Sequence, residues 1–293
     1  FLESNCVIQG NINVNSPLVY DNTMSGALKA YARANQGVVI TPFILGGAMS
    51  PVTMPAAVAQ AHAETMVGVA LTQLVRPGSS AVYGNFLTTM DLKSGAPTFG
   101  TPESTLATLA VGQIARRLGL PFRAGGHYTA SKVTDAQAMQ ESADSMFPAF
   151  LAGANFIHQA AGWLEGGLVV GYEKFILDSD RLGMLHRMGD GMAINDNSLG
   201  FSASMESSPG ENFLGTEHTG ENFETANFRS EMADNNSFEQ WEEDGSKDAE
   251  ERAYERWNTM LDEYIEPPMD PAIDEALKDF IRLKKDSMDD EWY

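Results

Sequence analysis

Short apolar, β-branched runs alternate with longer alanine-rich amphipathic runs between residues 5 and 188. Short apolar runs are typical of buried strands, whereas apolar positions recurring every three to four residues are typical of helices. The pattern predicts strands over residues 5–14, 37–45, 79–86, 120–126 and 154–162. It predicts helices over residues 21–36, 54–75, 101–119, 134–153 and 171–188. This part of the chain therefore consists of five strand–helix pairs.

Residues that begin helices support these boundaries. Asp21, Thr53 and Thr101 stand at predicted N-cap positions, where a side-chain oxygen accepts a hydrogen bond from the first turn. Thr134 with Gln137 has the spacing of a capping box. We therefore expect four of the five helices to begin at these residues.

The spacing of the strands indicates the fold class. Successive predicted strands begin 32 to 42 residues apart, which is typical of βα units in an open doubly wound sheet or a closed TIM (β/α)8 barrel. The barrel is favoured because no G-x-G-x-x-G follows the first strand and because polar and aromatic residues cluster after the strand ends. A barrel needs eight units, so we expect about three more upstream. The chain begins at Phe1 rather than Met, and we expect it to fold poorly alone.

The pattern changes near residue 200. Residues 198–223 are polar and glycine-rich, which predicts a loop. Residues 237–265 form a charged predicted helix, interrupted near Gly245, and residues 270–285 form a last helix capped by Asp270. We therefore expect residues 1–200 to be the latter part of a TIM barrel. Residues 201–293 would be an acidic loop and helical C-terminal extension.

Negative charge is concentrated in that extension. The formal net charge is −21, and residues 200–293 hold 26 acidic and 8 basic side chains. Such a field repels phosphate backbones, so nucleic acid is an unsuitable partner. The acidic region is either a solvated helical face or a docking surface for a basic patch on another protein.

The sequence also indicates the compartment. No apolar run is long enough to span a membrane, and no signal peptide opens the chain. The single cysteine, Cys6, excludes an internal disulfide and suits a reducing compartment. We therefore expect a cytoplasmic protein without a membrane partner.

Aromatic, amide and carboxylate residues recur where predicted strands end. Aromatic faces beside a carboxylate suit a methylated ammonium ion, which has lost its N–H donors and is held by the ring quadrupoles. The alternative is that these rings only pack the ends of the barrel. The candidates are Tyr83, Asn85, Phe86, His127, Tyr128, His158, Gln159, Trp163, Glu165, Tyr172 and Glu173.

The five histidines lack the spacing of a metal motif. His62 and His186 fall on predicted helices and are interpreted as structural. A barrel metal site built from His127 and His158 stays open as an alternative, which would make the protein a metal-dependent hydrolase or lyase. The sequence contains neither a P-loop nor a G-x-S-x-G motif.

Several long segments resemble the trimethylamine methyltransferase family, the MttB-like corrinoid methyltransferases. The matching stretches are "SGAPTFGTPES" (94–104), "ASKVTDAQAMQES" (130–142), "LAGANFIHQAAGWLEGGLVVGYEKFILDSD" (151–180) and the tail from "FLGTEHTGENFETANFRSEM" to "EPPMDPAID". The resemblance implies a TIM barrel about 200 residues longer at its N-terminus. It implies methyl transfer from a methylated amine to the cobalt of a corrinoid (cobalamin) on a separate partner protein. No metal bound by the chain itself is predicted, and a homo-oligomer is compatible with the resemblance.

The resemblance also suggests a substrate class. The archaeal trimethylamine enzymes of the family carry pyrrolysine in this region, and none stands in this sequence. A quaternary amine is already cationic and releases a neutral amine without such help. We therefore favour glycine betaine, carnitine or proline betaine. The alternatives are a trimethylamine-specific enzyme and a non-catalytic betaine-binding homologue.

Roles follow for the candidate residues. Tyr83, Phe86, Tyr128 and Trp163 are expected to form a cage for the ammonium group, with Tyr172 as a further substrate-binding residue. The residues expected to orient the substrate's polar end or to meet the corrinoid are Asn85, His127, His158, Gln159 and Glu165. The displacement itself requires no general base.

Overall fold

Parallel strands that pair in chain order form the centre of the fold. The computed structural model describes residues 4–288. β2 pairs with β1 on one side and with β3 and β4 on the other; β3 pairs with β6, and β6 with β7, all in parallel. β3 and β4 continue one strand line that is interrupted at Asn85. The strands are β1 (Gln9–Val14), β2 (Gly37–Gly46), β3 (Ala81–Gly84), β4 (Phe86–Met90), the short β5 (Pro97–Thr98), β6 (Phe122–Gly125) and β7 (Phe156–His158).

The five helices predicted between and after the strands of residues 5–188 all form. The helices are α1 (Asn22–Arg33), α2 (Met54–Val75), α3 (Pro102–Arg117), α4 (Ala136–Leu151) and α5 (Tyr172–Asp190). Asp21 and Thr101 cap α1 and α3 through side-chain hydrogen bonds, as predicted, whereas Thr53 makes none. The cap predicted at Thr134 is wrong: Asp135 begins α4, because its carboxylate accepts from the Ala138 amide.

Side chains alternate between the two faces of the sheet. On one face, Ile12, Val14 and Ile40 pack against Leu28 of α1. On the strands nearer α3, Tyr83 and Phe122 pack against Val111 and Ala149 in a second cluster. The helices therefore cover one face of the parallel sheet.

Two predictions about strand length need correction. The strand expected over 154–162 ends at His158, because Gln159 has a left-handed backbone with φ 52°. A short hairpin of β8 (Trp163–Leu164) and β9 (Val169–Val170) follows instead. The strand expected over 79–86 continues as β4 to Met90.

Beyond α5 the chain is helical in short pieces. The region predicted as a loop over 198–223 instead holds three short helices: α6 (Asp196–Leu199), which begins just before it, α7 (Phe201–Glu206) and α8 (Glu217–Asn222). Asn195 caps α6 and Thr216 caps α8 through side-chain hydrogen bonds, whereas α7 has no side-chain cap. The expected break near Gly245 separates α9 (Phe238–Glu243) from α10 (Ala249–Asp262). Asp270 caps α11 (Pro271–Asp286), as predicted.

The chain divides into two compact units. One comprises Phe1–Glu255 and holds the sheet and α1–α5. The other comprises Arg256–Tyr293 and holds the end of α10 and α11, whose apolar side chains such as Phe280 are exposed. The boundary predicted at residue 200 between barrel and extension stays a prediction. Across residues 4–288, the helices lack the combined length and apolarity needed to cross a membrane.

The structure thus shows a mixed α/β fold with a parallel sheet. Within the described residues, the strand pairs do not link β7 back to β1.

Candidate functional site

Four aromatic rings meet where β4, β6 and β8 lie close together. This aromatic cluster consists of Phe86, Phe99, Tyr128 and Trp163. The ring centroids of Tyr128 and Trp163 are 4.8 Å apart, and those of Phe86 and Tyr128 are 5.0 Å apart. Phe99 lies 5.5 Å from Tyr128 and 6.0 Å from Trp163. The cluster joins three of the four rings expected in the cation cage, and Phe99 was not foreseen.

The rings pack closely on one another. Phe86, Phe99 and Tyr128 are each less than 10% exposed. The cavity beside Asn85, Phe86 and Tyr128 is about 30 Å³, enough for roughly one water molecule. Phe43 of β2 extends the aromatic surface toward solvent, with its ring 4.9 Å from that of Phe86 and its side chain 38% exposed. The cavity is therefore too small to enclose a methylated ammonium group.

The loop after β6 holds Tyr128 in place. Its backbone N–H donates to the Ser145 hydroxyl on α4 at 2.9 Å. The Glu141 carboxylate on the same helix accepts from the Thr129 hydroxyl at 2.7 Å and from the Ala130 amide at 2.8 Å. Two consecutive turns of α4 thus fix this loop.

Arg123 connects the candidate residues, although sequence reasoning did not select it. Its Nη1 donates to the Asn85 carbonyl at 2.9 Å. Its Nη2 donates to His158 Nδ1 at 3.0 Å and to Gln159 Oε1 at 2.7 Å. The Tyr128 hydroxyl donates to the same Gln159 oxygen at 2.9 Å. One guanidinium therefore joins the ends of β3, β6 and β7 beside the aromatic cluster.

Arg123 is unusual among the described residues because its charged guanidinium is buried without a carboxylate beside it. The side chain is 1% exposed, and burial lowers its pKa. The ion pairs within residues 4–288 do not include Arg123, and its Nε atom has no hydrogen-bond partner. A buried cation is costly without a counter-charge. The signal in the sequence was a single arginine inside the apolar strand "LPFRAGG".

Three candidate residues have left-handed backbones. His127, Gln159 and Glu165 have φ of 52°, 52° and 51°. Non-glycine residues rarely adopt this conformation, and such strain concentrates at functional sites. The side-chain oxygen of Gln159, Oε1, accepts two hydrogen bonds, from Arg123 and from Tyr128. These bonds fix the orientation of the amide and direct its NH₂ group away from Arg123.

His127 belongs to a buried polar network behind the loops. Its Nδ1 donates to the Ala160 carbonyl at 2.6 Å and lies 3.6 Å from Asp178 Oδ1. Asp178 accepts from the Gly162 amide at 2.9 Å and from Lys174. His127, Lys174 and Asp178 are all 0% exposed. The network ties α5 to the loop that carries Gln159, which gives His127 a structural place.

Burial shifts the titration of these groups. It lowers the pKa of His127 to about 3, so the imidazole is neutral at neutral pH. It raises the pKa of Asp178 to about 6, although Lys174 acts in the opposite direction. Burial and the charge of Arg123 lower the pKa of His158. Because His158 Nδ1 accepts from Arg123, the proton of its neutral ring is on Nε2.

Tyr83 is separated from the aromatic cluster. Its side chain is 0% exposed in the core cluster with Val111 and Phe122, and His62 Nδ1 lies 3.0 Å from its hydroxyl. The alternation of side chains along β3 directs Tyr83 toward the helices. The expectation that Tyr83 lines the cage is therefore wrong, because its ring lies in the core and not in the aromatic cluster. His62 packs against the Tyr83 ring, with centroids 6.0 Å apart, in a structural role.

The remaining candidates lie near β8 and β9. The Trp163 Nε1 donor is buried without a hydrogen-bond partner. Glu165 is half-buried, and its backbone N–H donates to the Ser131 carbonyl at 2.7 Å. Tyr172 is the first residue of α5 and is 66% exposed, and Glu173 beside it is half-buried. The carboxylate of Glu165 is therefore accessible from solvent, whereas the Trp163 donor is not.

The two histidines of the metal alternative are bound by different partners. His127 Nδ1 donates to Ala160, whereas His158 Nδ1 accepts from Arg123. In the part of the chain that the structure describes, His, Cys, Asp and Glu side chains form no group of three or more that could hold a metal ion. His127 and His158 thus do not form the ligand set that this alternative requires.

Comparison with known proteins gives one consistent family. Residues 1–289 match the family model described as trimethylamine methyltransferase (MTTB). The chain is 34% identical to a glycine betaine methyltransferase of Desulfitobacterium hafniense strain Y51, over 94% of this chain and 57% of that protein. It is 29% identical to a trimethylamine methyltransferase MttB of D. hafniense strain DSM 10664 / DCB-2, over 94% and 55%.

An archaeal relative is also similar. The chain is 30% identical to trimethylamine methyltransferase MttB1 of Methanosarcina mazei, over 84% of this chain and 50% of that protein. The chain thus spans about half the length of the curated relatives it matches.

Proposed function

Because the chain belongs to the trimethylamine methyltransferase (MttB) family, we propose that it transfers a methyl group from a methylated amine to the cobalt of a corrinoid. The corrinoid is carried by a separate partner protein. The aromatic cluster is the observation that carries this proposal, because it gathers ring faces at one end of the parallel sheet. Ring faces bind methylated ammonium groups through their quadrupoles, for about 0.5–2 kcal/mol per contact.

The chemistry divides between the two proteins. The partner's corrinoid would supply cobalt(I) as a two-electron nucleophile and methyl acceptor, and the substrate would lose its methyl group through cleavage of the C–N bond, with the neutral amine as the leaving group. The histidines near the site do not offer free ligand atoms, because His158 Nδ1 accepts from Arg123 and His127 is fully buried. Because these ring nitrogens are already bonded or buried, we propose that the partner protein holds the cobalt.

The chain's own residues hold and orient the substrate. Phe86, Tyr128 and Trp163 bind the methylated nitrogen and exclude water from the reacting carbon. Gln159 and His158, both fixed by Arg123, present donors to the remainder of the substrate. None of these groups has to move a proton, because the displacement neither consumes nor releases one when the amine is quaternary.

The favoured substrate is a quaternary amine. Its nitrogen is already cationic, so a neutral tertiary amine departs directly. The glycine betaine methyltransferase among the relatives supports this choice, and the relatives named for trimethylamine support the alternative of a tertiary amine. Glycine betaine, carnitine and proline betaine are the compounds to test.

The site is proposed to lie at the mouth of a TIM barrel. The parallel strands β1, β2, β3–β4, β6 and β7 are neighbours in chain order, without the reversal that marks a doubly wound sheet. The aromatic cluster lies at their carboxyl ends, where barrel enzymes place their active sites. An open end there leaves access for the corrinoid face.

A methylation assay tests the function. The full-length protein is mixed with reduced cob(I)alamin, or with its cognate corrinoid protein, and with trimethylamine, glycine betaine, carnitine or proline betaine. We expect the cobalt absorbance change of methylation with a quaternary amine and not with trimethylamine. Methylation with trimethylamine alone would overturn the substrate choice, and binding without methylation of any of the four would overturn the enzymatic function.

A Trp163→Leu variant tests the site. We expect it to lower kcat/KM by about 10-fold or more, because one cation–π face is lost. The matched control is Trp241→Leu: this indole donates to the Lys247 carbonyl at 3.0 Å in the region of α9. Equal loss in both variants would argue against the aromatic cluster as the ammonium site.

A further inference from the structure

A fixed positive charge stands beside the proposed ammonium site. Arg123 lies within hydrogen-bond distance of Gln159, which in turn accepts from the hydroxyl of Tyr128 in the aromatic cluster. Within the described residues, no carboxylate pairs with Arg123. A substrate that is only a cation is repelled by this guanidinium, since charges a few ångströms apart still interact by kcal/mol inside a protein. A substrate that also carries a negative charge meets complementary potential.

Hydrogen-bond donors without protein acceptors accompany that charge. The NH₂ group of Gln159 is directed away from Arg123, because the amide oxygen is held by two donors. Within the described residues no protein acceptor is bonded to this NH₂ group, so its two N–H bonds can donate to an acceptor supplied by the ligand. A carboxylate is the acceptor that suits both these donors and the charge of Arg123.

We infer that this site selects zwitterionic quaternary amines, in which a carboxylate stands a few bonds from the ammonium nitrogen, and that Arg123 acting through Gln159 sets this selectivity. The inference rests on the proposed function and deepens it. The rings take the ammonium end, and the Gln159 amide takes the carboxylate end. Arg123 is a positioning residue, because its Nη atoms hold Asn85, His158 and Gln159.

The selectivity has a physical source in both attraction and rejection. The carboxylate of a betaine offsets the field of Arg123 and accepts from Gln159. Choline has the same trimethylammonium group but carries a hydroxymethyl group in place of the carboxylate, so it leaves the guanidinium uncompensated. We expect kcat/KM to favour glycine betaine over choline by about 30-fold or more.

The deciding variant is Gln159→Glu. A glutamate keeps the acceptor atoms for Arg123 and Tyr128, so the network and the fold are retained. Its charge neutralises Arg123 and repels the substrate carboxylate. We expect the betaine-to-choline ratio of kcat/KM to fall by about 30-fold, mainly through KM for betaine. Arg123→Met should lower the ratio in the same direction by removing the charge.

The matched control is Gln140→Glu, the same chemical change at an exposed position of α4. It should leave the ratio unchanged. The measurements use the full-length protein with its corrinoid partner, and titration calorimetry of betaine and choline binding runs beside the kinetics. A high ratio in the parent protein that collapses in Gln159→Glu and Arg123→Met supports the inference.

Other outcomes separate this inference from the proposed function. Equal use of choline and betaine by the parent protein would overturn the inference and leave methyl transfer standing. Equal losses for both substrates in the two variants would reduce Arg123 to a structural residue. If no methylated amine is turned over, the proposed function fails. Calorimetry then decides alone: equal binding of choline and betaine overturns the selectivity, and tighter betaine binding that Gln159→Glu abolishes supports it.

Discussion

The hydroxyl end of Tyr128 lies directly over Gly125, the last residue of β6. A Cβ atom at position 125 would stand 1.4 Å from the Tyr128 hydroxyl oxygen and 2.1 Å from its Cζ. The Tyr128 ring can lie here only because residue 125 has no side chain. The hydrogen bond from the Tyr128 hydroxyl to Gln159 requires the same ring position. Glycine is required here for close approach rather than for backbone conformation.

Gly125→Ala should consequently disrupt the site. We expect a loss of about 1–3 kcal/mol in unfolding free energy from overpacking, together with at least a 10-fold loss of methyl transfer as Tyr128 leaves the cluster. Denaturant unfolding and the methylation assay measure the two effects. Gly26→Ala is the control, since its added Cβ meets no atom within 4 Å inside α1, and alanine there should stabilise by about 0.5–1 kcal/mol. Unchanged activity in Gly125→Ala would contradict the role of Tyr128.

His127 makes stability depend on pH with a defined sign. Its pKa falls to about 3 in the folded protein because burial disfavours the imidazolium, against about 6.5 in an unfolded chain. Between these values the unfolded chain binds the additional proton, so His127 costs stability as pH falls below 6.5. The expected slope is about 1.4 kcal/mol per pH unit. Asp178, with its pKa raised to about 6, acts oppositely: the folded state holds its proton, and its contribution is lost as pH rises from about 4 to 6.

His127→Asn isolates the histidine, because an asparagine amide keeps a donor for the Ala160 carbonyl. Unfolding free energies of the parent and the variant are measured by denaturant at pH 7, 6 and 5. We expect their difference to change by about 1.4 kcal/mol per unit below pH 6.5. A difference independent of pH would show that His127 titrates normally in the folded protein.

At this scale the sequence predicted which aromatic side chains come together better than it predicted the hydrogen bonds around them. Phe86, Tyr128 and Trp163 were selected because aromatic residues follow parallel strands, and the structure brings them together. Arg123 was missed because its partners, Asn85 and His158, lie 38 and 35 residues away. Tyr83 was misplaced because it lies three residues before Phe86, and alternation along the strand line puts the two side chains on opposite faces.

Two helices with matching starts allow a test at the scale of elements. α2 and α3 both follow a threonine and have proline in their first turn. The Thr101 hydroxyl accepts from the Ser104 amide at 3.3 Å and bonds to the Thr89 hydroxyl of β4 at 2.9 Å. Thr53 makes no side-chain cap bond. The same residue type therefore has different contributions in the two helices.

Thr101→Ala is expected to cost about 1 kcal/mol of unfolding free energy. Thr53→Ala, the matched control, should cost no more than a few tenths because no capping bond is lost. Denaturant unfolding of both variants decides the difference. Equal losses would mean that the side-chain bonds of Thr101 add nothing to the stability of α3 beyond what the uncapped Thr53 adds to α2.

Element order was predictable because helical and strand periodicities differ throughout residues 9–190. Element ends were less so. Thr134 and Asp135 are adjacent cap formers, and only the backbone geometry selects the second. The short helices α6–α8 have four to six residues each, too few to produce a periodic signal among glycines and serines.

At the scale of the whole molecule, the edge strands β1 and β7 decide whether the parallel sheet closes into a barrel. β1 pairs with β2 and β7 with β6, and the parallel order between them follows the chain. The spacing of the predicted strands indicated this order. It did not indicate what pairs with the two edge strands, because that pairing involves residues far apart in the sequence. In a TIM barrel, β1 and β7 would each have a second neighbour.

Hydrogen exchange of the full-length protein tests that closure. Along a parallel strand with one neighbour, alternate amides are bonded and the others face away. We expect slow exchange at every amide of Gln9–Val14 and Phe156–His158, apart from any that donate to loops. Fast exchange at alternate amides of either strand would contradict the barrel. The central strand β2 serves as the internal reference, because it is paired on both sides.

The charge of the molecule leads to a prediction about salt. Acidic side chains number 40 and basic ones 19, so repulsion outweighs attraction over the surface. Exposed ion pairs such as Lys278–Asp274 and Lys247–Glu255 oppose this only weakly.

Raising NaCl from about 10 to 150 mM shortens the screening length from about 30 to 8 Å, which relieves the repulsion more in the compact state than in the expanded one. We expect a stabilisation of about 1 kcal/mol, measured by denaturant unfolding in urea. Buried Lys174–Asp178 is screened little and should not reverse the effect. A loss of stability with salt would instead mean that surface ion pairs hold this acidic chain together, and that its negative charge is already compensated locally.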